Sequence, residues 1–265
     1  MKLSKMLKIS PAVRAAVFDF DGTVSLLSEG WQELMQALFE SILFERVSFT
    51  ESEAETERKK IAQFIFELTG KPSFFQCARF VEEVALCGGP KLDAKRVHAE
   101  FLSLIDRRLE EREEAIRSGE VPAETFLVPG VRPFLERLQA MGWRLMLVSG
   151  SVDAMVQRQC CLLRLHDFFD GGVFGSPTNT SQSFSKEAVI RDFMARFGLK
   201  PAEIVGFGDG FVETHFVHAI GGFAVGLATR EKERDGKINE WKREKLLEAS
   251  ADAILPDFST AMKLL

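Results

Sequence analysis

The run AAVFDFDGT, Ala15 to Thr23, decides the fold. Its apolar opening, Ala15 to Phe20, stops at an Asp-Gly turn signal and reads as a short buried strand. Asp19 to Thr23 then fall at that strand's C-terminal edge. Working outward, comparable runs recur at RLMLVSG (Arg144 to Gly150), EIVGFGDG (Glu203 to Gly210), GFAVGLA (Gly222 to Ala228) and ADAILP (Ala251 to Pro256). Stretches of helical periodicity precede them, among them VRPFLERLQAMG and KEAVIRDFMARFG. Apolar runs alternating with helices predict a Rossmann-like α/β core built on a parallel sheet with crossover helices.

Between the first run and the second the pattern changes. GWQELMQALFESILF, ESEAETERKKIAQFIFELTG, FFQCARFVEEVALCG and DAKRVHAEFLSLIDRRLEEREEAIRSG all carry helical spacing, and no convincing strand interrupts them. An insertion of about 100 residues is long enough for a small domain of its own. The expected organisation is a discontinuous core, residues 1–24 and 125–265, with an α-helical cap at 25–124.

The 265 residues are 46% hydrophobic and 28% charged, the balance of a soluble globular chain with a sizeable interior. A net charge of −5 gives no general electrostatic reason to bind nucleic acid or an anionic membrane surface, so neither is expected as a partner. Any phosphorylated ligand needs a local positive site. Cys77, Cys87, Cys160 and Cys161 lack zinc-site spacing and read as free thiols of a reducing compartment. The basic start MKLSKMLKISPAVRAAVF has no apolar signal-peptide core, and no window reaches membrane-spanning length; the expected location is the cytoplasm.

A parallel sheet binds ligands beyond the C-terminal ends of its strands, so the polar residues there carry the chemistry. The first run ends in Asp19, Asp21, Gly22 and Thr23; RLMLVSG leads into Ser149, Gly150 and Ser151; EIVGFGDG ends in Asp209, with Glu213 one turn on. Lys186 opens the helix leading into that last run. Acids, a hydroxyl beside a glycine and a lysine are the parts of a metal-assisted phosphoryl transfer. A carboxylate attacking an anionic phosphate ester needs a cation, and Mg²⁺ prefers one or two carboxylates together with the phosphate. Asp19 and Asp209 can supply these. Asp21 can then protonate the leaving alkoxide and later activate water. Ser149, the amide after it and Lys186 are placed to hold phosphate oxygens. Taken alone, Ser149 is equally an N-cap and Glu213 a first-turn acid favourable to the helix dipole.

In these residues the chain resembles the haloacid-dehalogenase-like phosphatases, in the branch of phosphoglycolate phosphatases and β-phosphoglucomutases, whose helical cap is inserted after the first motif. FDFDGT looks like motif I, LVSGS like motif II, Lys186 like the motif III lysine and GFGDGFVE like motif IV. The resemblance implies Asp19 as nucleophile, Asp21 as acid/base, and phosphate contacts from Gly22, Thr23, Ser149, Gly150 and Lys186. It also implies Mg²⁺ held by Asp19, the carbonyl of Asp21, Asp209 and Glu213. Two features depart from the pattern. Glu187 follows Lys186 where many relatives have proline, and Glu213 replaces the commoner aspartate, so its longer arm leaves open whether it meets the metal directly or through water.

The expected activity is Mg²⁺-dependent hydrolysis of a small phosphomonoester metabolite, sugar phosphates included, through an aspartyl-phosphate. A phosphotransferase or phosphomutase on the same fold and a catalytically silent metabolite-binding module are the alternatives. His215 and His218 lie three apart but lack a third ligand nearby in sequence, and they read as packing positions. Trp31 and Glu29 lie close enough behind the motif I loop to line a substrate chamber. The charged segment Arg230 to Lys245 reads as a solvated loop and helix face within reach of the sheet edge.

Overall fold

The computed structural model describes residues 8–69, 71–177 and 184–265, so most of the basic N-terminal start lies outside the described residues. Six strands, β1 (Ala15–Phe18), β2 (Arg144–Val152), β3 (Gly172–Ser176), β4 (Ile204–Gly208), β5 (Phe223–Leu227) and β6 (Ala253–Leu255), form one sheet. Their order is β3-β2-β1-β4-β5-β6, and every pairing is parallel. All four residues of β1 are buried, and they pair with β2 on one side and β4 on the other. Burial on both faces explains why the strands read as continuous apolar runs instead of alternating ones. The chain winds outward from β1 through β2 to β3, then returns to its other side for β4, β5 and β6. This reversal at β1 opens a crevice at its C-terminal end.

The end of the first strand and the number of strands differ from the sequence reading. β1 stops at Phe18 because the amides of Thr23, Val24 and Ser25 all turn back onto the carbonyl of Phe20. β3 is an additional strand that the sequence reading lacks. It lies at the sheet edge, and its GVFGS stretch mixes glycines with only two large apolar residues, a weak strand signal.

Four helices, α1 (Trp31–Phe44), α2 (Glu51–Glu67), α3 (Phe74–Leu86) and α4 (Ala94–Arg117), lie between β1 and β2. A capping box starts α2, in which Thr50 Oγ1 accepts from the Glu53 amide and Glu53 Oε2 accepts from that of Thr50. Val97, Phe101, Ile105 and Leu109 recur every four residues and form one buried stripe along α4. Phe39 of α1 stacks on Phe80 of α3, with ring centroids 4.1 Å apart. The remaining helices, α5 (Val131–Ala140), α6 (Asp153–Leu162), α7 (Lys186–Phe197), α8 (Phe211–Ala219) and α9 (Glu240–Glu248), belong to the sheet layer system. Beneath the sheet, Phe18 stacks on Phe207 at 4.9 Å, and both neighbour Phe258. With 24 Phe and no Tyr in the chain, such clusters bring aromatic area without a phenol to satisfy.

This four-helix insertion joins the rest of the chain through two adjacent connectors. The Leu26 amide donates to Phe126 O at 2.8 Å, that of Val128 to Val24 O at 3.1 Å, and Ser25 bridges Leu127 in antiparallel fashion. Arg108 and Arg112 of α4 donate to main-chain carbonyls of Leu27, Glu29 and Gly30. A second tie runs from α4 to α6, where Glu113 accepts from Arg158 and Gln159.

Candidate active site

The crevice at the end of β1 collects the predicted acids. Asp19 follows β1, its amide still donating to Phe207 O of β4, and Asp209 follows β4 itself. Glu213 lies in the first turn of α8, where Oε1 accepts from the Gly210 amide at 2.9 Å. Oxygens of Asp19, Asp209 and Glu213 all lie within 4.8 Å of one another, and all three side chains are buried. Lys186, also buried, opens α7 and donates to Asp19 Oδ1 at 2.5 Å and Glu213 Oε2 at 3.1 Å. Burial raises the Asp19 carboxyl well above the carboxylate range; Lys186 opposes the shift, whereas Glu213 and Asp209 add to it. Asp209 is pushed up to about 6, chiefly by burial, with Lys242 opposing and Glu231 and Glu213 adding. Burial works against the Lys186 ammonium, but Asp19 and Glu213 outweigh it and hold its pKa above the lysine range.

This trio fits a hard divalent cation. The donors are all carboxylate oxygens, Asp209 Oδ1 is buried without a hydrogen-bond partner, and three acids in one pocket are met by only part of the needed positive charge. Mg²⁺ suits such a donor set. Gly22 makes the packing possible: its φ is +75°, and a β-carbon there would lie 2.3 Å from Asp209 Oδ2.

Asp21 is held from the β2 side. Its Oδ2 accepts from Ser151 Oγ at 2.8 Å and Ser149 Oγ at 3.3 Å, while its Oδ1 is buried and unpartnered. Ser149 Oγ in turn accepts from the Ser151 amide at 3.0 Å. Asp19, Asp21, Ser149 and Gly150 line a cavity of about 110 Å³, whose opposite wall comes from the inserted helices. Trp31 is in that wall together with Gln76 and the α4 stripe of Phe101, Ile105 and Leu109.

Several expected residues fall elsewhere. Gly22 and Thr23 are absent from the cavity wall, and their amides donate within the turn, to Ser25 O and Phe20 O respectively, while Thr23 Oγ1 is buried without a partner. Glu29 lines a different cavity and accepts from Arg234 at 2.7 Å. The two histidines diverge, His215 stacking on Phe211 and His218 contacting Asp252 at 3.2 Å. Of the thiols, Cys77 and Cys160 are buried, whereas Cys161 is exposed.

Sequence reading also missed a residue. Lys242 of α9, inside the segment taken as a solvated face, is buried and donates to Asp209 Oδ2 at 2.7 Å and Glu231 Oε1 at 2.5 Å. Those two carboxylates outweigh its burial and hold its pKa above the lysine range. Only its place in a charged run close to the sheet edge hinted at this.

Comparison with known proteins bears on the family and the fold. The model of a family described as haloacid dehalogenase-like hydrolase matches residues 13–221. Among solved structures, a predicted phosphoglycolate phosphatase from Haemophilus somnus 129pt is 17% identical, covering 96% of this chain and 98% of its own, with a TM-score of 0.62. A phosphonoacetaldehyde hydrolase-like protein from Oleispira antarctica is 14% identical over 100% and 95% of the two chains, at a TM-score of 0.64. A β-phosphoglucomutase from Clostridium difficile is 13% identical over 94% and 92%, at 0.58. At these identities the likeness is one of fold. No curated protein matches. Among the described residues, no helix is long and apolar enough to cross a membrane.

Proposed function

The chain belongs to the haloacid dehalogenase-like hydrolase family, and on that premise we propose that it is a phosphatase that hydrolyses a small phosphomonoester metabolite through an aspartyl-phosphate. The observation that carries this reading is the pairing of a lysine-held buried acid, Asp19, with a serine-held acid, Asp21, on the wall of one cavity. Asp19 attacks phosphorus with Oδ2, the oxygen that Lys186 leaves free, as the bond to the leaving alkoxide breaks. Asp21 gives that alkoxide its proton. Water then attacks the aspartyl-phosphate, Asp21 takes a proton from it, and Asp19 and inorganic phosphate are released.

Ser149 and the amides at the end of β2 stand on the phosphate side of the cavity, and Lys186 adds positive charge there. Asp19, Asp209 and the Asp21 carbonyl would hold Mg²⁺, which supplies charge neutralisation to the approaching phosphate. Both oxygens of Glu213 are already engaged, by Gly210 and Lys186, so it would act through water. A cavity of about 110 Å³ roofed by the cap favours a small metabolite over a protein substrate.

The test is a panel of phosphorylated metabolites assayed with Mg²⁺, following substrate loss and phosphate release together. One-to-one stoichiometry is expected. Substrate loss without phosphate release would identify transfer to another hydroxyl, and no turnover above an Asp19→Asn control would overturn the enzyme reading.

A further inference from the structure

Both oxygens of Asp209 have defined and unequal surroundings. Oδ2 accepts from Lys242 Nζ at 2.7 Å, and Glu231 Oε1 fixes that ammonium from its other side at 2.5 Å. The Gly22 backbone shields the same oxygen, so closely that a methyl group there would lie 2.3 Å away. Oδ1 is buried and has no hydrogen-bond partner. One oxygen is pinned and crowded, and the other is left without a partner.

We propose that Lys242 is a positioning residue that confines Asp209 to one-oxygen coordination and thereby makes the acid cluster select Mg²⁺ over Ca²⁺. The proposal rests on the reading of that cluster as a cation site. Mg²⁺ demands six near-ideal octahedral ligands at roughly 2.0–2.1 Å, whereas Ca²⁺ takes about 6–8 oxygens at longer range and readily uses both oxygens of one carboxylate. A carboxylate pinned through Oδ2 cannot turn that oxygen toward the ion. Lys242 belongs to α9, 33 residues beyond Asp209, so the constraint is supplied from outside the strand-end motifs.

The two ions carry the same charge. Removing the ammonium therefore shifts their electrostatic attraction alike, and the ratio of their affinities isolates the geometric effect. Mg²⁺ and Ca²⁺ are titrated separately onto the substrate-free protein by calorimetry, for the wild type, Lys242→Met and the charge-balanced Glu231→Gln/Lys242→Met variant. The Kd ratio is expected to move toward Ca²⁺ by about tenfold, the lower end of what outer-shell partners contribute to metal affinity. The double variant gives the same reading should the uncompensated Asp209 and Glu231 carboxylates unfold the single one. An unchanged ratio in the folded variants overturns the clamp. A wild-type protein that binds neither ion overturns the cation reading itself, a separate outcome that metal-independent phosphate release would accompany.

Discussion

Asp19 sits in a local environment that works against its own charge, and Lys186 opposes that effect, which in the proposed mechanism lets Asp19 serve as the nucleophile. Replacing it with asparagine keeps the shape and removes the attacking oxygen. Asp19→Asn is expected to cut kcat by about 10³-fold or more while leaving the fold intact by circular dichroism. Gly22 gives a prediction of the opposite kind. Gly22→Ala forces a side chain into positive φ and against Asp209, which costs about 1–2 kcal/mol of stability in denaturant melts. Because the clash falls on Asp209, the same variant is also expected to weaken divalent-ion binding. A stable Gly22→Ala protein with unchanged ion affinity would contradict the described packing.

Among the elements, α4 does most to join the inserted helices to the sheet and its flanking helices. Its stripe roofs the cavity, its arginines hold the connector, and Glu113 reaches α6. Burial pushes the Glu113 carboxyl up, but hydrogen bonds from Arg158 and Gln159 outweigh it, so its pKa in the folded protein lies below the ordinary glutamate value. The resulting stabilisation is present above the unfolded-state value of about 4.3 and is lost as pH falls through the lowered one. Glu113→Gln is therefore expected to lower Tm by a few degrees at pH 7, and the gap should close below about pH 4. A pH-independent gap would show that the tie is not ionic. The helices of this insertion are readable in the sequence because each carries enough 3.6-periodic apolar residues, as Val97, Phe101, Ile105 and Leu109 do. β3 is not, since an edge strand with glycines lacks the apolar continuity of β1. Asp19, Asp21, Ser149, Lys186 and Asp209 are legible because strand ends and the helix start supply them at predictable places. Lys242 is not, because its burial depends on a partner 33 residues away and its own helix is polar nearly all round.

At the scale of the molecule, the four thiols report on compactness. Burial pushes Cys77 and Cys160 up to about 12 and the half-buried Cys87 up to about 11, while Cys161 is exposed. At pH 8 one thiol per chain is expected to react quickly with a disulfide reagent, and the two buried ones only on unfolding. Rapid labelling of all four in the native protein would show a looser interior than the one described. The placement of β1 has a consequence for biosynthesis. Its neighbours begin at Arg144 and Ile204, whereas α1 finds α2 and α4, and α3 finds α4, before residue 118. On a ribosome the inserted helices can therefore pack first, while the first strand waits, unpaired on one side, until Ile204 to Gly208 emerges. In a chain stopped before Ile204, a protease should cut near Ala15–Phe18 and spare the helical insertion.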